Sequence, residues 1–498
     1  MDRSIARRLL ASALGLGLLA DVLLDGPALG LNLVALVGAI LGTGWLLRRR
    51  GRAPDPLDAW LPVVALILAA FVAVRGDPFM AAIDTAGSLA FTGAAIVAFS
   101  GLAVTRRSAS VIASLGARTF MAGLVGAVRV GRAARPGSID RTSGLPAYLA
   151  PLGRGLLIGL PLALIFAVLF ASADPIFRRG MSDLLGWRID LGDVSGRVLF
   201  IGTCTWLVAG LLSVAAGGIP VLERASLGAS ARTGPAARTI EVGLTEALVV
   251  LIAIDLVVGL FVALQLAYLF GGQDTLVAAG MTYSDYARRG FFELVAAACL
   301  AGAVVVALES TVARRSLSYR GATLTLLGLT AVVLVSAMLR LRLYQDAYGW
   351  TELRLYVLTT IVSLAAGLAL MTALTITGRM RWLGHGLAVV AVVVLVGLNL
   401  LAPSAFVAER NVERVVDPTL VAPGGHAGLD AAYLGVLPDD AVPVLVAALP
   451  SLPPRERRDV LRLLEQKKSV LTSNPAYVGL PAWNLGRERA RAALASVR

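Results

Sequence analysis

Residues 338–357 read MLRLRLYQDAYGWTELRLYV and separate two apolar runs, about 322–339 and 353–377, each of a length that crosses a bilayer. A hydrocarbon core takes about 20 apolar residues per helix. The flanks therefore set the fold class as membrane helices. The stretch between them raises the functional question, because Arg340, Arg342, Glu352 and Arg354 stand there among Tyr344, Tyr348, Trp350 and Tyr356.

The same ruler finds eleven candidate spans, at about 9–24, 28–47, 59–74, 80–104, 153–173, 197–221, 244–270, 290–308, 322–339, 353–377 and 384–402. Composition agrees. Hydrophobic residues make up 57% and charged residues 15% of the chain, against about 25% charged in soluble domains. The expected fold is all-α, a polytopic helical membrane protein with a small helical C-terminal extension. A net charge of +13 would suggest nucleic acid in a soluble protein. Here the arginines lie mostly in short segments between apolar runs, where they set topology. The expected partner is the lipid bilayer, with no nucleic acid.

Arginine-rich segments at the N-terminus (Arg3, Arg7, Arg8), 48–52, 105–154, 222–243, 309–321 and 378–381 alternate with segments poorer in Arg. The positive-inside rule places the first set in the cytoplasm of a multi-pass cell-membrane protein. With an odd number of spans, the N-terminus is cytoplasmic and the C-terminus extracytoplasmic. The opening MDRSIARRLL resembles the start of a signal peptide, but the run after it holds Asp21 and no clear cleavage site, so it is expected to be a retained first helix.

Two units follow. Residues 1–402 form the transmembrane domain, with 105–152 as a basic cytoplasmic loop in which Phe120, Leu124 and Val128 suggest an interfacial helix. Residues 403–498 form a polar helical segment in which two or three short helices could pack. There PDDAVPVLVAAL (438–449) offers Asp439 or Asp440 as a helix cap, PPRERRDVLRLLEQKK (453–468) begins a second helix with prolines, and VAPGGHAG (421–428) makes a hinge.

An ionisable group at mid-membrane costs roughly 2.5–3.5 kcal/mol on insertion scales. Asp255, in VVLIAIDLVVGLFV (249–262), is the deepest such group, and it suggests either a proton or cation role or a neutral acid joining helices. Other acids gather toward the outer face: Asp21, Asp84 and Glu293 in the outer parts of their spans, and Asp174 at the start of an outer loop. Arg178, Arg179, Arg288, Arg289, Arg340, Arg342 and Arg354 oppose them. In MTYSDYARRGFFEL (281–294), Tyr283, Tyr286, Arg289 and Glu293 recur every three to four residues and share one helical face. Arg340 and Tyr344 are four apart, as are Glu352 and Tyr356. Such a layer suits a small anionic or zwitterionic ligand, because guanidinium forks grip carboxylate and phosphate. The alternative is an aromatic belt with snorkelling arginines.

Enzyme motifs are sparse. The chain has no GxxxxGK[ST] and no HExxH, its only histidines are His385 and His426, and its only cysteines are Cys204 and Cys299. No metal or cofactor is expected, catalytic residues are not assigned, and an enzyme is the less favoured class.

Several co-linear segments, ASADPIF (171–177), YSDYARRGFFEL (283–294), RLRLYQDAYGWTELRLYV (340–357), PSAFVAERNVER (403–414), LDAAYLGVLPDDAVPVL (429–445) and WNLGRERARAAL (483–494), resemble the bacterial integral membrane family catalogued as domain of unknown function 4173, close to that numbered 4153. The resemblance implies a polytopic membrane protein with a polar C-terminal extension, and it implies no reaction. A transporter or channel-like protein is favoured, since anchoring alone needs one helix. The alternatives are an envelope sensor or assembly factor whose C-terminal segment binds a protein partner, and a membrane enzyme acting on a lipid-linked substrate.

Overall fold

The computed structural model describes residues 3–48, 53–106, parts of 201–212, 244–270, 291–311, 316–421 and 428–497. Every regular element among them is helical: α1 (Arg3–Leu24), α2 (Leu31–Leu47), α3 (Trp60–Val74), α4 (Pro78–Phe99), α5 (Leu244–Phe270), α6 (Phe291–Thr311), α7 (Leu317–Tyr348), α8 (Glu352–Thr377) and α9 (Leu383–Leu401). Shorter helices follow, α10 (Pro403–Val416), α11 (Ala431–Val436), α12 (Val442–Ala448), α13 (Pro454–Ser473) and α14 (Leu485–Ala495).

Five helical stretches are long and apolar enough to cross a membrane: Pro56–Val74, Pro78–Phe99, Leu317–Asp346, Glu352–Thr377 and Met380–Leu401. Shorter apolar helices run over Leu31–Leu47, Ala247–Ala263 and Ala297–Glu309. Of the eleven expected spans, 153–173 lies outside the described residues and 197–221 mostly so. The same holds for the expected interfacial helix around Phe120 and for most of the 421–428 hinge.

Local chemistry explains the helix boundaries. Asp77 caps α4, accepting from the backbone N–H of Phe79 at 2.8 Å and of Met80 at 3.2 Å, with Pro78 in the first turn where its missing donor costs nothing. Ser316 and Thr351 cap α7 and α8 in the same way. Helix α7 is longer than the expected 322–339 run. At 32 residues it measures about 48 Å, well beyond a hydrocarbon core of about 30 Å. Its last turns take in Arg340, Arg342 and Tyr344. Gly349 ends it with φ 78°, a left-handed conformation that glycine adopts without a Cβ clash. The stretch 338–357 is thus a helix end, a tight turn and the next helix start.

Three apolar cores hold the long helices. Leu251, Leu326, Leu327, Ala337, Leu341 and Ile361 pack α5, α7 and α8 together with α6. Val37, Ala65, Ala69, Ala95 and Ile96 join α2, α3 and α4. Leu9, Ala13 and Ile40 meet Val208 and Leu212. A fourth core, with Val407, Leu434, Leu445, Val460, Leu464, Ala490 and Leu494, binds α10–α14 into a bundle and includes Leu355 of α8.

One local expectation is corrected. Neither Asp439 nor Asp440 caps α12; they form a single 3₁₀ turn with Ala441, and the helix starts after that turn without a side-chain cap. The Asp440 carboxylate is turned toward the α3–α4 turn, and Asp439 faces Lys467 and Arg487 within the bundle.

Candidate functional site

The bundle seats on the turns that join the membrane helices. Beside the α1–α2 turn, the N–H of Ala28 donates to Ala476 O (2.8 Å), that of Leu31 to Trp483 O (3.1 Å) and that of Asn32 to Pro481 O (3.0 Å). At the α3–α4 turn, Gly76 N donates to Asp440 Oδ1 (3.1 Å), while Asn484 Nδ2 donates to both Val72 O (2.8 Å) and Arg75 O (2.7 Å). At the α7–α8 turn, Asn411 exchanges two hydrogen bonds with the backbone of Trp350, at 3.0 and 2.8 Å. The Glu352 N–H donates to Tyr433 Oη at 2.7 Å. These turns and the bundle share one side of the molecule, and the ends at Asp58, Thr105 and His385 share the other.

A buried polar junction forms where bundle and turns meet. Asp77 is buried and, besides capping α4, accepts from Tyr356 Oη at 3.3 Å. Glu352 lies within electrostatic range of Asp77 and Lys467, and its Oε1 is buried without a hydrogen-bond partner among the described residues. Lys467 donates to Leu437 O at 2.6 Å and faces Asp439 and Glu352. Arg75 Nη1 stands 3.8 Å from Asp440 Oδ2. Arg487, also buried, donates to Leu29 O (3.0 Å) and Ala482 O (2.6 Å) and stacks over Tyr477 at 4.6 Å.

The charges here are only partly compensated. Burial pushes the Asp439 and Asp440 carboxyls above the usual carboxylate range, although Lys467 and Arg487 oppose the shift at Asp439, and the Gly76 N–H and Arg75 oppose it at Asp440. Burial lowers Lys467 against the pull of Asp439 and Glu352, and it pushes the Tyr433 phenol up to about 12.

Deeper in the membrane layer, Asn399 of α9 donates from Nδ2 to Asp84 Oδ1 of α4 at 2.9 Å, and both residues are fully buried. Asp77 and Arg75 lie within electrostatic range of Asp84. Carboxyl and phenol groups thus run from Asp84 through Asp77, Tyr356 and Glu352 to Asp439. Such an arrangement of buried and partly buried acids can bind and release protons.

The residues picked out from sequence divide between several places. Glu352 and Tyr356 belong to the junction. Arg354 and Tyr344 form a separate rim contact, with the guanidinium 4.1 Å over the ring and Nη1 donating to Tyr348 O and Gly349 O. Arg342 is exposed, and Arg340, two residues earlier and so on the opposite side of α7, is partly buried. Asp255 is half-buried on α5 beside exposed Leu256 and Val257, with Oδ1 lacking a hydrogen-bond partner among the described residues. Glu293 is in the first turn of α6, and its side chain is outside the described set, as are Asp174, Tyr283, Tyr286 and Arg289. Among the described residues, no group of three Asp, Glu, His or Cys side chains forms a metal-ligand set.

Sequence reasoning missed Asp77, Asn399, Asn411, Asn484 and the inward turn of Asp440. Asp77 had a visible signal, an Asp-Pro step before an apolar run. The asparagines had none, since each bridges positions far apart in the chain.

Residues 61–448 match the family model described as domain of unknown function (DUF4153). The resemblance read from sequence put the family numbered 4173 first and gave this one as its neighbour. No curated protein and no solved structure matches the chain.

Proposed function

This chain belongs to the DUF4153 family, and we propose that it is a multi-pass cell-membrane protein that moves protons or a small cation through its buried polar junction. In this reading about eleven helices cross the membrane, the N-terminus is cytoplasmic, and the α10–α14 bundle is an extracytoplasmic cap. Kinship with the family numbered 4173 is part of the same reading. One observation carries it: acids from α4, α8 and the bundle meet in a buried layer that three basic groups, Arg75, Lys467 and Arg487, only partly neutralise. Buried ionisable groups that are only partly compensated are costly to keep and gather at sites that handle protons or ligands. Simple attachment to a membrane would require none of them.

The test is proton flux in liposomes under an imposed pH gradient, comparing wild type with Asp77→Asn, Glu352→Gln and Asp255→Asn. Wild-type flux above that of empty vesicles, reduced in the junction variants, is expected. Wild-type flux equal to the vesicle leak would dispose of the transport reading.

A second reading is supported by the surface of the bundle near the α1–α2 turn. A cleft of about 590 Å³ lined by Tyr477, Val478, Leu480, Trp483, Glu488 and Arg491 opens there, and Val478 and Leu480 are exposed. Apolar side chains in a concave setting mark binding surfaces. In this reading the bundle is a sensor or assembly device. Removal of residues 403–498 then abolishes the cellular phenotype while the membrane part still folds, and normal function of the truncated chain argues against it.

A further inference from the structure

The Asp84–Asn399 pair leaves an unusual remainder. Asn399 uses one amide hydrogen on Asp84 Oδ1 at 2.9 Å and the other on Leu395 O at 3.0 Å. Two atoms of the pair remain buried with no hydrogen-bond partner among the described residues, Asp84 Oδ2 and Asn399 Oδ1. Both residues are 0% exposed. In a cyclic acid–amide pair these are the two atoms that the second hydrogen bond joins. Were the carboxyl ionised, two acceptors would share a dry site with no donor between them, and a bare buried charge costs far more than a buried neutral acid. A single proton on Oδ2, donated to Asn399 Oδ1, satisfies both atoms at once.

We infer that Asp84 and Asn399 form a proton-binding site, in which the protonated carboxyl and the amide close a ring of two hydrogen bonds. This rests on the proton-handling reading above and locates where the proton resides. The charged groups within range are Asp77 on the same helix and Arg75 at the end of α3. Asp77 is already engaged by Phe79, Met80 and Tyr356, and Arg75 is drawn to Asp440. The flanking helices α2 and α9 contain no Asp, Glu, Lys or Arg. The surrounding elements therefore leave Asp84 without an adjacent counter-charge, and a proton fills that role. Release would leave Asn399 donating to a carboxylate and Asn399 Oδ1 without a donor, so the site returns to its filled form.

Infrared difference spectroscopy of the full-length protein in lipid nanodiscs tests this at neutral pH. The expected result is a carbonyl band of a protonated carboxylic acid, shifted in heavy water, present in wild type and lost in Asp84→Asn. Asn399→Ser should move that band without removing it, which keeps the test open if Asp84→Asn fails to fold. Thermal unfolding adds a second readout, since Asp84→Asn can form an amide–amide ring and should keep the wild-type midpoint, while Asp84→Leu should lower it. Absence of the acid band in wild type overturns the inference, as does its disappearance on adding sodium or potassium chloride, which would make the occupant a metal cation. Proton flux is measured separately. An acid band with no flux would leave the pair standing and remove transport; flux without the band would do the reverse.

Discussion

Gly486, in the first turn of α14, lies directly against Gly76 in the α3–α4 turn. A Cβ built on Gly486 would collide with Asp440 Oδ1 and with the Gly76 backbone. This approach lets the Asp440 carboxylate reach the Gly76 N–H, and it depends on the absence of side chains at both positions. Gly486→Ala is therefore expected to destabilise the docked bundle by about 1–3 kcal/mol, the usual cost of overpacking. A lowered thermal midpoint in detergent, together with faster proteolysis within 428–497, would show it. An unchanged midpoint would mean that the two backbones separate without loss.

Asn484 carries more of the same interface. Its amide donates to Val72 O in the last turn of α3 and to Arg75 O just after it, and its Oδ1 caps α14 through Arg487 N at 3.0 Å. Asn484→Ala leaves both carbonyls without this donor and removes the cap, for an expected loss of about 2–4 kcal/mol. Asn484→Asp keeps the cap and loses the donors, so it should recover only the smaller part. Equal effects from the two substitutions would be inconsistent with the donor role.

Asn411 imitates a backbone partner for Trp350. Asn411→Leu breaks both hydrogen bonds at the α7–α8 turn, and a loss of about 1–3 kcal/mol is expected. Trp350, edge-on to Phe406 at 5.1 Å, should then show altered near-ultraviolet circular dichroism. An unaltered spectrum would mean the turn is held by Gly349 and Arg354 alone.

Docking of the bundle should strengthen as pH falls from neutral toward the ordinary carboxylate range. Burial raises Asp439 and Asp440 in the folded state above the usual carboxylate range. A group whose folded pKa is raised binds its proton more tightly when folded, so its stabilisation is complete below the unfolded pKa and is lost as pH rises through the folded one. Hydrogen exchange in 428–497, corrected for intrinsic rates, should slow on mild acidification in wild type. The effect should shrink in a variant carrying Asp439→Asn and Asp440→Asn. Faster corrected exchange at mildly acid pH would contradict the sign.

The helical class was legible because apolar runs of bilayer length leave few other folds, and boundaries such as Thr351–Glu352 and Gly378 follow from residues that cap or break helices by their own chemistry. Helix α7 was underestimated because Arg340, Arg342 and Tyr344 look like loop composition, while their backbone continues the helix past the apolar core. Glu352 and Tyr356 were visible as a pair four residues apart. Asp77 and Asp84 acquire their meaning from partners at 356 and 399, and hydropathy does not encode which distant turn an asparagine will bridge. Asp439 and Asp440 matched a capping signature and were drawn instead to the α3–α4 turn and to Lys467, since a tertiary contact outweighs a local one of about 1 kcal/mol.

The Arg487 guanidinium donates to Leu29 O across 458 positions of chain. During synthesis the α1–α2 hairpin leaves the ribosome long before the segment that closes over it. Until that segment docks, the carbonyls of Val72, Arg75 and Leu29 lack the donors that Asn484 and Arg487 supply. Completion of the fold is therefore gated by its latest-made helices, and a chain cut short before α14 would keep its early helices while leaving their joining turns uncovered.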